Sequence, residues 1–246
     1  MNDAIIRMHD VTTTYEGASC PVISDISLEI GRGEFVIIGG PNGAGKTTLL
    51  ETIAGLLPII SGSVQVCGLD VAKKGHETRK KLGYVIQNFD FDPYTPFTVE
   101  EVLLIGRYGL LGFFKRPRKA DYDAVDRSLA LLGISDLRKN HIGKLSGGQQ
   151  QKILIAHNLT KEPDVLLLDE PFSNLDLATR EHVCDVLCNV ANAGITVIIV
   201  SHAFDALPKM DVRVVVMKEG TIALNTVVQP NEVQSTVREI SEEKNA

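Results

Sequence analysis

Apolar and polar positions divide the chain into segments of different period. "AIIRMHDVTTTY" and "VISDISLEI" carry the β-branched, alternating content of two strands, "GRG" reads as a turn, and "EFVIIGG" as a short apolar strand. "DVLLLDEP" and "ITVIIVSH" are unbroken aliphatic runs, the mark of parallel strands covered on both faces. A doubly wound, mostly parallel α/β sheet is therefore the predicted core. Between Gln87 and about Leu159 the period becomes helical: "VEEVLLIGRYGL" and "DYDAVDRSLALLGI" repeat apolar residues every three or four positions, with Val125, Leu129 and Leu132 on one face. This predicts a helical lobe inserted into the sheet domain. Within it, the glycines and Pro117 of "TVEEVLLIGRYGLLGFFKRPRKADYDAV" read as interrupting any helix, which favours a docking loop over a membrane-surface helix. "VRVVVMKEGTIAL" reads as a closing hairpin and "SEEKNA" as a frayed tail.

Composition changes this picture little. With 246 residues, 44% hydrophobic and 23% charged, the chain can bury a large core, as one body with a subdomain. A net charge of −6 supplies no broad basic surface and argues against nucleic acid as a partner. No window reaches the 18 apolar residues of a membrane span, and "MNDAIIRMHD" lacks a basic segment followed by an apolar signal core. The sequence thus reads as soluble and cytoplasmic. Of four cysteines only Cys184 and Cys188 share a helical face, and packed, reduced thiols are preferred there to a metal site.

Candidate chemistry begins at "GPNGAGKT". Gly40, Pro41, Asn42, Gly43, Ala44, Gly45, Lys46 and Thr47 follow a strand and open the helix "TTLLETIAGLL", the context that the G-x-x-x-x-G-K-[ST] pattern requires. Small residues let backbone N–H groups curl around phosphate oxygens at a helix N-terminus. Lys46 is expected to reach the β- and γ-phosphates, and the Thr47 hydroxyl to ligate Mg²⁺ with Asp169 as its acidic partner. Glu170, next in an extended chain, points elsewhere and is free to polarise water. His202 lies past the strand end where open α/β sheets place ligands. A strand-end cap for Asp169 and a structural loop histidine at 202 are the plainer alternatives.

"KLSGGQQQK" asks for a second explanation. Ser146 and Gln149 have the spacing of a capping box, yet Gly147 and Gly148 in the first turn each cost a helix about 1 kcal/mol relative to alanine. A phosphate approaching that backbone would account for them. "LSGGQ", followed by "VLLLDEP" and preceded by the phosphate loop, resembles the ATP-binding cassette of ABC transporters over nearly the whole chain. The resemblance implies a P-loop NTPase fold: one domain over 1–246, with an ATPase core and N-terminal antiparallel β-subdomain (1–87 and 160–246) and a helical subdomain carrying the signature (88–159). It implies ATP hydrolysis with Mg²⁺, and two cassettes paired head to tail so that Ser146, Gly147, Gly148 and Gln149 close over ATP held by the other copy. By the same resemblance Tyr15 stacks on adenine, and Thr48 and Asp176 join the ATP site. Gln87 touches Mg²⁺ and senses the membrane partner, "SNLD" crosses the dimer interface, and His202 holds the γ-phosphate and Glu170.

The implied partners are two transmembrane permease subunits and, indirectly, an extracytoplasmic substrate-binding protein, which places the chain on the inner face of the cell membrane. Gln150 and Lys152 stand where arginines are frequent, and "IAHNL", with His157, replaces the usual "ARAL". "GRYGLLGFFKRP" with "ADYDAVDRSL" resembles cassettes of zinc, manganese and iron importers. Siderophore and cobalamin importers share similar segments, and the soluble ATPase of iron–sulfur assembly shares the same site. A kinase or GTPase would leave "LSGGQ" without a job.

Overall fold

The computed structural model describes residues 4–18, 20–87, 91–111, 115–173, 175–201, 206 and 208–242. In chain order its elements are β1 (Ala4–Thr13), β2 (Ile23–Gly31), β3 (Phe35–Gly39), α1 (Lys46–Ile53), β4 (Ile59–Val66), β5 (Leu69–Asp70), α2 (Val71–Lys80) and β6 (Leu82–Val85). Three helices follow, α3 (Val99–Leu111), α4 (Lys119–Leu131) and α5 (Gly147–Leu159). The chain then returns through β7 (Val165–Asp169), α6 (Leu177–Asn192), β8 (Thr196–Val200), β9 (Val212–Lys218), β10 (Thr221–Val228) and α7 (Val233–Glu242).

Period-two placement of side chains organises the core. The larger sheet runs β10-β9-β3-β8-β7-β6, parallel except for the antiparallel β9–β10 hairpin. All five residues of β3, β7 and β8 are buried, as continuous apolar runs demand when both faces are covered. Phe35, Ile37, Leu166, Leu168, Val197 and Ile199 face the layer built by α3 to α7. The alternate residues Val36, Ile38, Leu167, Ile198 and Val200 face α1 and the second sheet. That sheet, β2-β1-β4-β5, is wholly antiparallel and buries Ile6, Met8 and Val11 of β1 against the core. The expected fold class is what forms.

Parallel pairing puts the C-terminal ends of β3, β8 and β7 side by side. The phosphate loop leaves β3 and Asp169 ends β7, so two segments 122 residues apart at Thr47 and Asp169 meet at one sheet edge.

The helical lobe departs from the expected interruption. α3 runs unbroken through Gly106 and Gly109 to Leu111. Gly106 serves close packing instead: a Cβ there would lie 2.6 Å from the His157 carbonyl oxygen and 2.7 Å from Thr160 Oγ1. Tertiary contact thus offsets the helix-propensity cost of glycine. Pro117 precedes α4, whose N-cap is Arg118, so it bounds a helix and breaks none. Residues 112–114 of the expected docking loop lie outside the described residues. Arg107 joins the lobe's parts: it pairs with the buried Asp121 of α4 at 2.9 Å and donates to the Thr160 carbonyl at 2.8 Å. The backbone N–H of Arg118 and the Arg107 guanidinium hold the Asp121 carboxyl below its usual range.

At the C-terminus Ser241 and Glu242, expected to fray, continue α7, while 243–246 lie outside the described residues. Val233 and Val237 form the buried stripe of this helix, and Lys218 Nζ donates to the Ile240 carbonyl at 3.3 Å near its end. Cys184 and Cys188 are buried, reduced thiols on α6. Among the described residues no helix is long and apolar enough to cross a membrane.

Candidate active site

The phosphate loop is shaped by what it packs against. Gly40 has φ +130°, and a Cβ there would lie 2.2 Å from the Met217 carbonyl oxygen of β9, so only glycine lets the chain turn this close to the sheet. Lys46, at the first position of α1, folds back over the loop and donates from Nζ to the carbonyls of Gly40 at 3.0 Å and Pro41 at 2.8 Å. Burial pulls its pKa down, against the raising effect of the Glu170 and Asp169 carboxylates.

Thr47 Oγ1 donates to Asp169 Oδ2 at 2.7 Å. Asp169 Oδ1 is buried and has no hydrogen-bond partner among the described residues. Burial raises the pKa of this carboxyl, the bond from Thr47 lowers it, and the Glu170 and Glu51 charges raise it again. Glu170 does not continue the strand as expected. Its φ is +51°, in the left-handed region, and its N–H donates to the Val200 carbonyl at 2.9 Å. A non-glycine residue held there marks a local demand of the site, turning the chain out of β7 toward the cleft.

A buried carboxylate oxygen without a partner, beside a hydroxyl and a second carboxylate, fits a hard divalent cation that takes oxygen ligands. The same arrangement is costly without one. The fold raises the Asp169 pKa, so the ionised form destabilises the native state above that pKa, and the cost vanishes as pH falls into the ordinary carboxylate range. Asp169→Asn is expected to raise the Tm of the nucleotide-free protein by about 3 °C at pH 7. The gain should fade below about pH 4, and thermal denaturation at the two pH values checks it. A lowered Tm at pH 7 would mean that the Thr47 bond outweighs desolvation.

Lys46, Thr47 and Glu170 line a cleft of about 420 Å³, together with Asn42, Gly43, Gly45, Thr48 and Gln87. Ala44 is buried beneath it. Tyr15 lies alongside, 40% exposed as a residue, its hydroxyl donating to Glu51 Oε2 at 2.7 Å and lying 3.3 Å from Thr48 Oγ1. Glu51 was not anticipated; its place one helical turn after Thr47 was the available signal. His202 lies outside the described residues.

The second motif forms a separate cleft. Ser146 N-caps α5 through a reciprocal pair: its N–H donates to Gln149 Oε1 at 3.0 Å, and the Gln149 N–H to Ser146 Oγ at 3.4 Å. Ser146, Gly148, Gln149, Lys152 and Asp176 line a hollow of about 200 Å³. Asp176 caps α6, accepting from the Thr179 N–H and hydroxyl, each at 2.9 Å, and these bonds lower its pKa. Among the described residues none lines both clefts. A Cβ on Gly147 would meet nothing within 4 Å, so packing within the chain does not require glycine there. Gln150 is buried and structural: its amide donates to the Ile142 and Leu145 carbonyls, each at 3.2 Å, and accepts from the Phe91 N–H at 3.4 Å.

The sequence profile of the ABC transporter family matches residues 23–173, a span holding the phosphate loop, Gln87, the signature and the Asp169–Glu170 pair. The chain belongs to that family. As an ABC transporter ATP-binding domain it is an ATP-hydrolysing enzyme. It is 39% identical over 197 residues to the manganese transport system ATP-binding protein MntB of Bacillus subtilis, covering 80% of this chain and 76% of that protein. Identity to the zinc transport system ATP-binding protein TroB of Treponema pallidum is 35%, over 91% and 82% of the two chains. The phosphonates import ATP-binding protein PhnC 2 of Nostoc is 34% identical, over 90% and 93%. Among solved ABC structures, cbiO1 from Clostridium perfringens, part of the complex cbiONQ, superposes with a TM-score of 0.78 at 28% identity, covering 99% and 95% of the chains. The dimeric, post-hydrolysis ABC cassette MJ0796 bound to ADP and Pi gives 0.74 at 26%, over 90% and 97%.

Proposed function

We propose that the chain is the ATPase of an ABC importer for a transition-metal ion, manganese or zinc, acting as one of two paired cassettes beneath two membrane permease subunits. An extracytoplasmic protein delivers the ion. The separation of the two clefts carries the pairing: the signature has a complete capping box and an open glycine, but no phosphate loop of its own chain beside it. A second copy, turned head to tail, supplies it.

In each composite site the N–H groups of the loop and Lys46 bind the phosphates of ATP, Tyr15 and Thr48 flank the base side, and the partner's signature helix and Asp176 close from above. The bonds from Lys46 to Gly40 and Pro41 hold the ammonium over the loop in advance, so little ordering remains when ATP binds. Thr47, Asp169 and Gln87 hold Mg²⁺, which when bound neutralises charge on the β- and γ-phosphates. Glu170 orients a water and accepts its proton as the water oxygen attacks the γ-phosphorus. The bond to the β–γ bridging oxygen then breaks, while His202 steadies the γ-phosphate. Loss of that phosphate removes what joined the cassettes, and the pair opens.

An apolar groove of about 480 Å³ between β6 and the helical lobe, lined by Tyr84, Ile86, Phe97, Ile105 and Leu154, supports permease docking next to Gln87. Tyr94, in the same connection as Phe97, is 92% exposed.

The cargo is tested in cells limited for metal that carry either the native chain or Lys46→Ala, a change expected to cut ATP turnover at least about a hundredfold. Mass spectrometry should show selective loss of manganese or zinc in the variant. The similarity to PhnC favours a second reading, phosphonate uptake. Unchanged metals with lost growth on phosphonate as sole phosphorus source would establish it in place of the first.

A further inference from the structure

β6 is the edge strand of the larger sheet, paired on one side with β7, so N–H groups on its other side need partners from elsewhere. The Tyr84 N–H finds one in a side chain: it donates to Asn158 Oδ1 of α5 at 3.0 Å. Asn158 is 4% exposed, and its Nδ2 donates to the Leu154 carbonyl at 3.0 Å, so the amide is matched at both ends and has one orientation. Lys161 Nζ lies on the same Oδ1 at 3.3 Å. α5 starts at the signature and ends at this bond, whereas the chain leaving β6 runs through Ile86 to Gln87 in the phosphate cleft. The apolar groove is lined by both ends of the bridge, Tyr84 and Asn158.

We infer that Asn158 is a positioning residue for Gln87: its carbonyl oxygen ties the far end of the signature helix to the strand three residues before Gln87, so that the two move together. This rests on the reading of Gln87 as a group of the Mg²⁺–phosphate site. Without the acceptor, a part-buried edge N–H loses its protein partner, and the strand end gains other positions that place Gln87 away from Thr47 and Asp169.

The test compares Asn158→Leu, Asn158→Asp and Gln87→Leu in the full chain. Asp keeps an oxygen for Tyr84; Leu keeps the volume alone. Two readouts are used: amide hydrogen exchange across residues 82–87, and the Mg²⁺ concentration that half-saturates binding of a fluorescent ATP analogue. Asn158→Leu should speed exchange at Tyr84 about tenfold, the loss of one hydrogen bond, and raise the Mg²⁺ requirement severalfold, with nucleotide affinity in EDTA unchanged. Asn158→Asp should restore both. If Leu does not fold, Asn158→Ala replaces it and the same comparison holds. Exchange and Mg²⁺ dependence unchanged in the Leu variant would overturn the inference, as would an Asp variant as impaired as Leu, which would assign the effect to the lost Nδ2 bond to Leu154 and not to the oxygen that Tyr84 uses. Gln87→Leu separates the premises: if it leaves the Mg²⁺ requirement unmoved, the reading of Gln87 has failed; if it raises the requirement and Asn158→Leu does not, the bridge has failed.

Discussion

Glu170→Gln is expected to leave ATP binding intact and to cut hydrolysis about a thousandfold, within the range that a positioned general base contributes. The substitution keeps the side chain's size and leaves the backbone alone, so the left-handed turn at φ +51° and the bond from the Glu170 N–H to Val200 are undisturbed. It removes one negative charge from a cleft where Glu170 acts on both Lys46 and Asp169. Losing that charge eases repulsion against the phosphates, so the affinity for ATP should hold or rise while the water loses its proton acceptor. Steady-state phosphate release measured beside equilibrium ATP binding separates the two. Full turnover in the variant would remove Glu170 from the role of base and leave the water to be oriented by another group.

What the sequence disclosed follows from how each feature is encoded. β3, β7 and β8 were legible because strands buried on both faces must be apolar at every position. The loop after β3 was legible as a glycine turn opening a helix because phosphate chemistry constrains residue type as well as shape, whereas residues 202–205 after β8 lie outside the described residues. β4 escaped notice because its middle, "SGS", is exposed and its burial does not alternate cleanly. α3 was misjudged because Gly106 looks like a helix breaker until the approach of α5 is known. Likewise the extended path assumed for Glu170 gave way to a left-handed turn, which no periodicity encodes. Gln150 and Asn158 read as departures from a pattern; their hydrogen bonds to Ile142, Leu145 and Tyr84 give them work that only tertiary structure displays.

Gly147→Asp in the Glu170→Gln background should abolish the ATP-driven dimer while each chain still binds ATP. Folding and pairing respond to this change in opposite ways. Within the chain the change is benign: a Cβ at Gly147 meets nothing within 4 Å, and a carboxylate in the first turn of α5 is favoured by the helix dipole. Between chains it is severe, since a side chain and a negative charge would stand where the proposed partner brings its γ-phosphate. Like charges at that distance in a closing, desolvated interface cost enough to weaken pairing by at least about a hundredfold. Light scattering with ATP measures the mass, and a fluorescent nucleotide reports binding to the separate chains. A dimer that persists would place the signature away from the interface. Loss of ATP binding by the single chain would mean instead that the signature serves the phosphate loop of its own chain, although the two clefts share no lining residue among those described. Monomers that bind ATP and do not pair are the result that head-to-tail sharing requires.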